Sequence, residues 1–407
     1  MEWKEVDIEQ TSIEIIDGDR GKNYPKNNEL TNFGYCLFLS AANVTKNGLQ
    51  FSNNSFITKE KDALLRKGKL MPQDIVLTTR GTVGNVGFYS DDVPYPNMRI
   101  NSGMVIIRPG EDFDTMFLYQ YLRSCYFRAQ ITQFQSGSAQ PQLPISTLQK
   151  MKVIKPDIAA QRRIASILSS FDRKIELNNK INADLEEMAQ AIFKNWFVDF
   201  EPFKDGKFVD SELGMIPEGW KVGTLGDITK NKSAKVKERN DVKVLSPVTT
   251  GELVLSEEYF TKQVFSSSIA KYKIVNKGDF AYNPARVNIG SLGRNEFDFD
   301  GCVSPVYVVF SVLDGYENYF DLFRKTDFFK DSVASLAIGG VRQSLSYDDL
   351  SSIEVIIPSE NAVEEFNNLY NQMKKTIKAN KLENSRLSLL RDTLLPRLMS
   401  GELEVPE

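Results

Sequence analysis

Histidine and cysteine, the side chains that most often act as general bases, nucleophiles or metal ligands, are rare in this sequence. It has no histidine among 407 residues, and its three cysteines are far apart. An imidazole base and a histidine-based metal site are therefore excluded. An odd number of scattered cysteines argues against a disulfide framework and suits a reducing compartment. The sequence predicts no metal centre and no nucleophile paired with a histidine.

The sequence also lacks the short motifs of several common enzyme classes. It has no GxSxG nucleophile elbow, no GxxxxGK[ST] phosphate loop and no GxGxxG turn that opens a helix. The fragment Asn283-Pro284-Ala285-Arg286 half-matches the Asn-Pro-Pro-aromatic site of amino-methyltransferases. Its last two positions differ, and it lacks the aromatic ring that stacks on a flipped base. We therefore expect no catalytic residue and no bound cofactor in this chain.

The polar side chains that could recognise another molecule are concentrated in two kinds of glycine-flanked loop, each of which occurs twice. One kind covers residues 78–85 and 283–291, and the other covers residues 136–143 and 339–345. Arginine, asparagine and glutamine read guanine and adenine edges through paired hydrogen bonds, while serine and threonine hold phosphates. Either loop alone would be an ordinary turn, but the repetition at equal spacing favours a DNA-recognition surface. The candidate DNA-binding residues are Thr78, Thr79, Arg80, Thr82, Asn85, Ser136, Ser138, Gln140 and Gln142, then Asn283, Arg286, Asn288, Ser291, Arg342, Gln343 and Ser344.

These loops belong to a duplication that runs through the whole chain. Residues 1–200 and 215–407 carry the same features in the same order, with an offset that settles at 202 residues. Matched pairs include Trp3 with Trp220, Asp74 with Asp279, Arg80 with Arg286, and Pro156 with Pro358. The sequence therefore predicts two copies of one module.

Each copy begins with a globular part of mixed secondary structure. Short apolar and β-branched runs such as DIVLTTRG (74–81) and SPVYVVFSV (304–312) are separated by turn residues and by helical stretches. This pattern predicts a compact α+β domain, and the helical stretches make a plain β-sandwich the weaker alternative. We expect globular domains at residues 1–156 and 220–358, helical spacers at 157–200 and 359–407, and a linker at 201–219.

Each copy ends in a long helix with a heptad repeat. An Asp at position 157 supplies an N-cap for the first helix, and Pro396 is expected to stop or kink the second. Two seams of equal phase predict that the helices pair as a long antiparallel two-helix coiled coil that separates the two globular domains. In both seams the middle heptad position is an asparagine, Asn178 or Asn380, which is expected to fix the register. The heptad positions are Ile164, Phe171, Asn178, Leu185 and Ile192, then Phe366, Met373, Asn380, Leu387 and Leu394.

Charge and hydropathy limit the partners. Fifty basic side chains face 54 acidic ones, so the net charge is -4 and a basic coat over the whole chain is excluded. Phosphate contacts must then be local, and the first candidates are Lys67, Lys69, Arg99, Lys271 and Lys273. No signal peptide and no apolar run long enough to span a bilayer are recognisable, which predicts a soluble cytoplasmic protein with no membrane contact.

Seven segments in the right order resemble the specificity (S) subunits of type I restriction–modification enzymes over essentially the whole chain. The helix start departs from the family pattern, with Ala160-Gln161 in place of Glu-Gln, and the second helix start, SENAVEEFN, lacks the glutamine. The segments are DIVLTTRGTVGNVGFY (74–89), SGSAQPQLPIS (136–146), IAAQRRIASILSSFDRKIELNNKIN (158–182), FKNWFVDFEPF (193–203), MIPEGWKVGTLGDI (215–228), YNPARVNIGSLG (282–293) and LLRDTLLPRLMSGELEV (389–405).

The resemblance implies a non-catalytic subunit with two target-recognition domains, each reading one half of a split sequence in double-stranded DNA. Because the loops differ between the copies, we expect two different half-sites and therefore an asymmetric bipartite target. The resemblance also implies a helical spacer that sets the half-site spacing and a complex with two methyltransferase (M) subunits, which bring S-adenosylmethionine. Two motor-nuclease (R) subunits are optional. Because the chain is acidic overall, we expect it to bind DNA firmly only with its M subunits attached. The alternatives are a coiled-coil assembly protein that binds other proteins and, with less support, a self-sufficient methyltransferase.

Overall fold

The computed structural model describes residues 3–137, 141–260, 265–266, 268–336 and 344–403. The chain divides into two compact units. The first unit contains residues 1–179 and 381–407, and the second contains residues 180–380. Both units combine sheets with helices, so the predicted α+β class is confirmed.

The first unit is built on a four-stranded antiparallel sheet. Its strands lie in the order Glu14–Asp17, Met104–Arg108, Ile75–Thr78 and Val86–Phe88. A three-stranded sheet contains Phe56–Ile57, Cys36–Leu39 and Met98–Ile100, and two-stranded sheets pair Glu5–Asp7 with Lys152–Ile154 and Val44–Thr45 with Gly48–Leu49. The short helices are Lys59–Leu64, Thr115–Arg123, Cys125–Phe134 and Ile145–Leu148.

The second unit repeats this plan. Its four-stranded antiparallel sheet has the order Thr229–Lys232, Val308–Val312, Phe280–Tyr282 and Leu292–Arg294. A second four-stranded sheet contains Leu253–Leu255, Lys243–Pro247, Gly301–Val303 and Lys273–Val275, and two-stranded sheets pair Lys221–Thr224 with Glu354–Ile357 and Phe208–Val209 with Ile216–Pro217. The short helices are Leu225–Ile228, Ser256–Tyr259, Glu317–Phe323, Asp327–Leu336 and Tyr347–Ser351.

The repeated strand order confirms the duplication. We call the four-stranded antiparallel sheet of each unit its main sheet. The strand that precedes the first glycine-flanked loop, Ile75–Thr78 or Phe280–Tyr282, is central in this sheet. Its two neighbours in the first unit correspond to its two neighbours in the second. Buried apolar side chains fill both of its faces, and Val76 and Leu77, for example, are 0% exposed. A strand buried on both faces is rigid, so the loop that follows it starts from a fixed point.

Two 40-residue helices, the first long helix (Ile158–Phe197) and the second long helix (Glu360–Met399), contribute residues to both units. The Asp157 carboxylate accepts a hydrogen bond from the Ala160 amide at 2.8 Å, which confirms the predicted N-cap. The second long helix passes through Pro396 and ends three residues later, at Met399, so its end lies just beyond the proline near which a stop or kink was expected. Its last turn is held because Leu398 and Met399 are buried in the core of the first unit.

Within each unit the two long helices run antiparallel. In the first unit Asp172 pairs with Arg391, and Asn178, further along, bonds to Glu383, which comes earlier in its own helix. In the second unit Asn182 bonds to Asn380, and Phe197 packs on Phe366 with ring centroids 5.0 Å apart. The predicted pairing of the two helices is confirmed in this form.

The predicted linker is part of the packed core of the second unit. The first long helix ends at Phe197, and Phe200 has a left-handed backbone (φ 56°) before the 3-10 turn Glu201–Phe203. The rings of Phe200 and Phe203 then pack on Trp220 with centroids 5.5 and 5.0 Å away. Within the described residues, no helix is both long enough and apolar enough to cross a bilayer.

Candidate nucleic-acid interface

In the first unit the two kinds of recognition loop lie side by side. The Leu143 amide donates to the Thr79 carbonyl at 2.9 Å, and the Gly81 amide donates to the Pro141 carbonyl at 3.3 Å. Arg80 and Gln142 face each other in an isolated β-bridge. Two loops that are about sixty residues apart in sequence therefore form one surface.

The second unit joins its loops through the equivalent contact. The Leu345 amide donates to the Pro284 carbonyl at 3.2 Å, and the Tyr282 hydroxyl donates to the Leu345 carbonyl at 3.2 Å. Leu345 follows Leu143 by the repeat offset of 202 residues. The duplication thus extends to the hydrogen bonds that bring the loops together.

A buried carboxylate holds the start of the central strand in both units, at the end opposite the loop. Asp74 accepts from the Met71 amide at 2.7 Å, and Asp279 accepts from the Asn276 amide at 2.9 Å. The balancing cation differs between the copies: Arg108 reaches Asp74 at 2.8 Å, whereas Lys232 reaches Asp279 at 2.7 Å.

Electrostatics at the second of these carboxylates are dominated by desolvation. Burial raises the pKa of the Asp279 carboxyl above its ordinary value, and this effect outweighs the opposing effect of the Lys232 ammonium. The pair therefore acts as a structural anchor for the strand and its loop.

Several predicted candidates have side chains that are buried or bonded inside the protein. The Thr78 hydroxyl donates to the Thr82 carbonyl, and Thr79 is buried. The Asn85 side chain donates to the Val44 carbonyl at 2.9 Å, and the Asn283 side chain accepts from the Ala285 amide at 3.1 Å. These bonds fix the loop conformation.

Ser291, the next candidate in the second unit, is also committed internally. It is 1% exposed, and its hydroxyl donates to the Pro247 carbonyl at 2.8 Å. Buried hydroxyls of this kind contribute to folding because they satisfy a carbonyl that would otherwise be unpaired.

The remaining described candidates are accessible. Arg286 is exposed and Arg80 is half-buried, and neither guanidinium has a hydrogen bond or ion pair with any described residue. The other accessible candidates are Thr82, Ser136, Gln142, Asn288 and Ser344. Ser138, Gln140, Arg342 and Gln343 lie outside the described residues.

The two heptad asparagines bond across the helix pair, each within its own unit. Asn178 is 0% exposed and donates to Glu383 at 2.7 Å and to Asn384 at 2.9 Å. Asn380 donates to Asn182 at 2.9 Å. The Asn178–Asn384 and Asn380–Asn182 bonds correspond to each other under the repeat offset, so both copies place an amide pair at the same point of the seam.

The predicted phosphate contacts of the first unit are partly engaged elsewhere. Arg99 is 5% exposed and pairs with Asp62, and Lys69 pairs with the same carboxylate at 2.7 Å. Exposed lysines that the sequence reasoning passed over lie in the second unit, at positions 235 and 237. The dense charge run KNKSAKVKERNDVK (230–243) could have identified them.

Comparison with known proteins gives a consistent result. The family model for the type I restriction modification DNA specificity domain matches residues 2–187. The type I restriction enzyme MjaIX specificity subunit of Methanocaldococcus jannaschii is 28% identical over 345 residues, which cover 82% of this chain and 78% of that protein. A Mycoplasma pneumoniae sequence named as a type I specificity subunit, S.MpnORF289P C-terminus, is 30% identical over 115 residues, which cover 28% of this chain and 72% of that sequence.

The fold has a solved counterpart. The crystal structure of a type I restriction–modification system S subunit from M. genitalium superposes with a TM-score of 0.57 at 16% identity, covering 100% of this chain and 96% of that one. At this identity the likeness concerns the fold alone. The duplicated loops, the paired helices and the matches to specificity subunits together show that this chain belongs to the type I restriction–modification specificity subunits, the non-catalytic DNA-recognition component of those enzymes.

Proposed function

We propose that the chain reads an asymmetric bipartite sequence in double-stranded DNA, one half with the loop pair of each unit. The observation that carries this proposal is the equivalence of the two loop pairs. Each is joined by the same hydrogen bond, and each presents an arginine without a partner among the described residues, Arg80 or Arg286. An arginine that the protein leaves unpaired beside a rigid strand is pre-organised for an external acceptor.

The residue types favour base reading over simple charge attraction at these loops. A guanidinium matches the O6 and N7 acceptors of guanine in a paired geometry, and such a contact discriminates by about 1–3 kcal/mol against a wrong base. Gln142 lies opposite Arg80 and adds an amide of the kind that reads adenine. The hydroxyls of Thr82 and Ser136 are suited to the neighbouring phosphates.

The two halves of the target are proposed to differ. The loop of the second unit contains a short 3-10 turn at Val287–Ile289, whereas the first loop has the shorter sequence TTRGTVGN at 78–85. Loops of different length and composition place different hydrogen-bond donors at different positions against the DNA, so they select different base pairs.

The repeat also supports a scaffold role. A chain that carries the same module twice offers two similar faces, to which two identical M subunits can bind. We propose that those subunits carry S-adenosylmethionine and the methyl-transfer chemistry, that R subunits are optional additions, and that the paired long helices set the spacing between half-sites.

Genome-wide mapping of N6-methyladenine tests this function. The chain is co-expressed with its cognate M subunit in a host without other adenine methylation, and modified sites are read by single-molecule sequencing. The expected result is one motif made of two unlike specific halves separated by unspecified bases. Expression of either subunit alone is the control and should leave the genome unmodified. Methylation at a continuous motif, or at scattered sites, would refute the proposal.

A further inference from the structure

A concentration of positive charge lies in the second unit of this otherwise acidic chain. The segments 230–243 and 268–277 contain nine lysine or arginine side chains and only two acidic ones. The two segments run next to each other as an antiparallel pair. The Ile274 amide donates to the Ala234 carbonyl at 2.8 Å, and the Val236 amide donates to the Tyr272 carbonyl at 2.9 Å.

Four lysines are clustered along this pair of segments. Val236 and Tyr272 are buried in a small apolar cluster, so their extended neighbours Lys235 and Lys273 point the opposite way. Lys235 faces Lys273 in a β-bridge. Lys237 lies beside Lys271, because its amide donates to the carbonyl of Ala270, the residue before Lys271, at 2.9 Å. We call Lys235, Lys237, Lys271 and Lys273 the lysine ladder.

This arrangement is unfavourable for the isolated chain. Like charges directly opposite each other across two strands destabilise the pairing, as Lys235 and Lys273 do here. Lys237 adds backbone strain, since it is a non-glycine residue with φ 55°. A feature that destabilises the fold is retained when another interaction compensates for it. For four ammonium groups, the compensating interaction is with an anionic partner.

Three of the neighbouring cations are paired with carboxylates, but those of the lysine ladder are not. Lys232 pairs with Asp279, Arg239 with Asp241 and Asp300, and Lys277 with Asp298. Among the described residues, the ammonium groups of the three exposed ladder members, at positions 235, 237 and 271, have no hydrogen bond or ion pair.

The ladder lies at the loop end of the main sheet of the second unit. The Lys273 ammonium donates to the Tyr307 carbonyl at 2.6 Å. Tyr307 precedes Val308, which pairs with Tyr282, the last residue of the strand before the recognition loop. The lysine ladder and the loop that carries Arg286 therefore lie at the same end of the main sheet.

We propose that the lysine ladder binds the phosphate backbone of duplex DNA beside the half-site that the second unit reads. The inference rests on the proposed function and deepens it, because it separates a sequence-independent grip from the base-reading loops. Phosphates spaced along a strand match a row of ammonium groups, and each neutralised phosphate releases a counterion and strengthens binding at low salt.

The test is a salt titration of DNA binding by the assembled complex with M subunits. A variant carrying Lys235→Ala, Lys237→Ala and Lys271→Ala is compared with the unmodified complex on target and non-target duplexes. Loss of three phosphate contacts should lower the slope of log affinity against log salt by about 2.7 and weaken binding to both duplexes at least about tenfold at 0.1 M salt. The methylated motif should not change. The control replaces three exposed lysines of the same unit outside the ladder, Lys207, Lys221 and Lys325, with alanine.

A single charge reversal separates DNA binding from folding. Lys235→Glu places opposite charges across from Lys273, so it should keep or raise the melting temperature while it lowers DNA affinity. A melting temperature that falls in parallel with affinity would show a structural role and overturn the inference. So would an unchanged salt slope in the triple variant, or a changed motif. If the unmodified complex shows no salt-dependent binding to duplex DNA, it is the proposed function itself that fails.

Discussion

Arg80 and Asn85 illustrate what a loop sequence specifies at the scale of single residues. Both are polar, both are adjacent to a glycine, and both were candidates for DNA contact. The structure commits the Asn85 amide to the Val44 carbonyl and leaves the Arg80 guanidinium without a partner among the described residues. Short polar side chains can bond to nearby backbone, whereas a long arginine reaches beyond its own turn. The sequence therefore located the loops, but only the structure shows which of their side chains bond internally and which remain available for contact.

Asp172 is the charged residue of the first unit whose titration should be visible in stability. It accepts hydrogen bonds from Gln120 at 2.6 Å and from Arg391 at 2.8 Å, and it pairs with Arg123 at 3.1 Å. Burial alone would raise the pKa of this carboxyl, but the Arg123 charge and the hydrogen bonds from Gln120 and Arg391 together lower it below its ordinary value.

A depressed pKa fixes the sign of the pH effect. The stabilisation is complete above the ordinary aspartate pKa of about 4 and is lost as the pH falls through the lower pKa of the folded state. We expect Asp172→Asn to destabilise the first unit by about 2 kcal/mol at neutral pH, because two guanidinium groups lose their counterion, and to flatten the acid limb of the stability curve. Thermal unfolding of the full chain between pH 3 and 7 measures both effects. Glu176→Gln, an exposed change on the same helix, is the control, and an Asp172→Asn curve that keeps the wild-type acid limb would contradict this account.

At the scale of elements, the heptad pattern predicted both long helices and their pairing. The hydrogen bonds at the N-termini of these helices differ between the two copies. The Gln161 side chain is buried, accepts from the Asp114 amide at 2.8 Å, and donates to the carbonyls of Asp112 and Pro156 at 3.0 and 2.9 Å. The second copy has no glutamine there. Its Pro358 carbonyl accepts instead from the Tyr316 hydroxyl at 2.8 Å, a substitution between distant residues that no local pattern signals.

This difference predicts unequal costs of mutation. Gln161→Leu removes three hydrogen bonds and leaves buried backbone groups unpaired, so we expect a loss of about 2–3 kcal/mol in the first unit. Tyr316→Phe removes one bond, so a loss of about 1 kcal/mol is expected in the second unit. Amide hydrogen exchange on the full chain localises each effect, and Arg162→Ala, an exposed change at the same helix start, is the control. Equal protection losses in the two units would contradict the explanation.

The end of the second long helix shows what element-level reasoning missed. Proline removes one helical hydrogen bond, which predicted a stop or kink near Pro396. Burial of Leu395, Leu398 and Met399 in the core of the first unit outweighs that local cost, and the helix continues to Met399. Tertiary packing of this kind is not written in the local sequence.

At the scale of the whole molecule, the duplication was the most predictable feature because it depends on order and spacing rather than on any contact. The offset of 202 residues reappears in the Leu143 and Leu345 hydrogen bonds and in the two seam amide pairs. The distribution of charge was less predictable. The net charge of -4 suggests a weak DNA binder without its partners, which remains a prediction. The clustering of the lysine ladder is seen only when its two segments are paired.

The central claim is that each unit reads its own half of the target, and the most direct test compares two matched substitutions. Arg80→Ala and Arg286→Ala are made separately in the full chain, which is co-expressed with the M subunit for mapping of N6-methyladenine. We predict that Arg80→Ala relaxes or abolishes specificity in one half of the motif only and that Arg286→Ala does so in the other half only, at about 1–3 kcal/mol each. Loss of methylation that is uniform across both halves, or that affects the same half in both variants, would contradict the account.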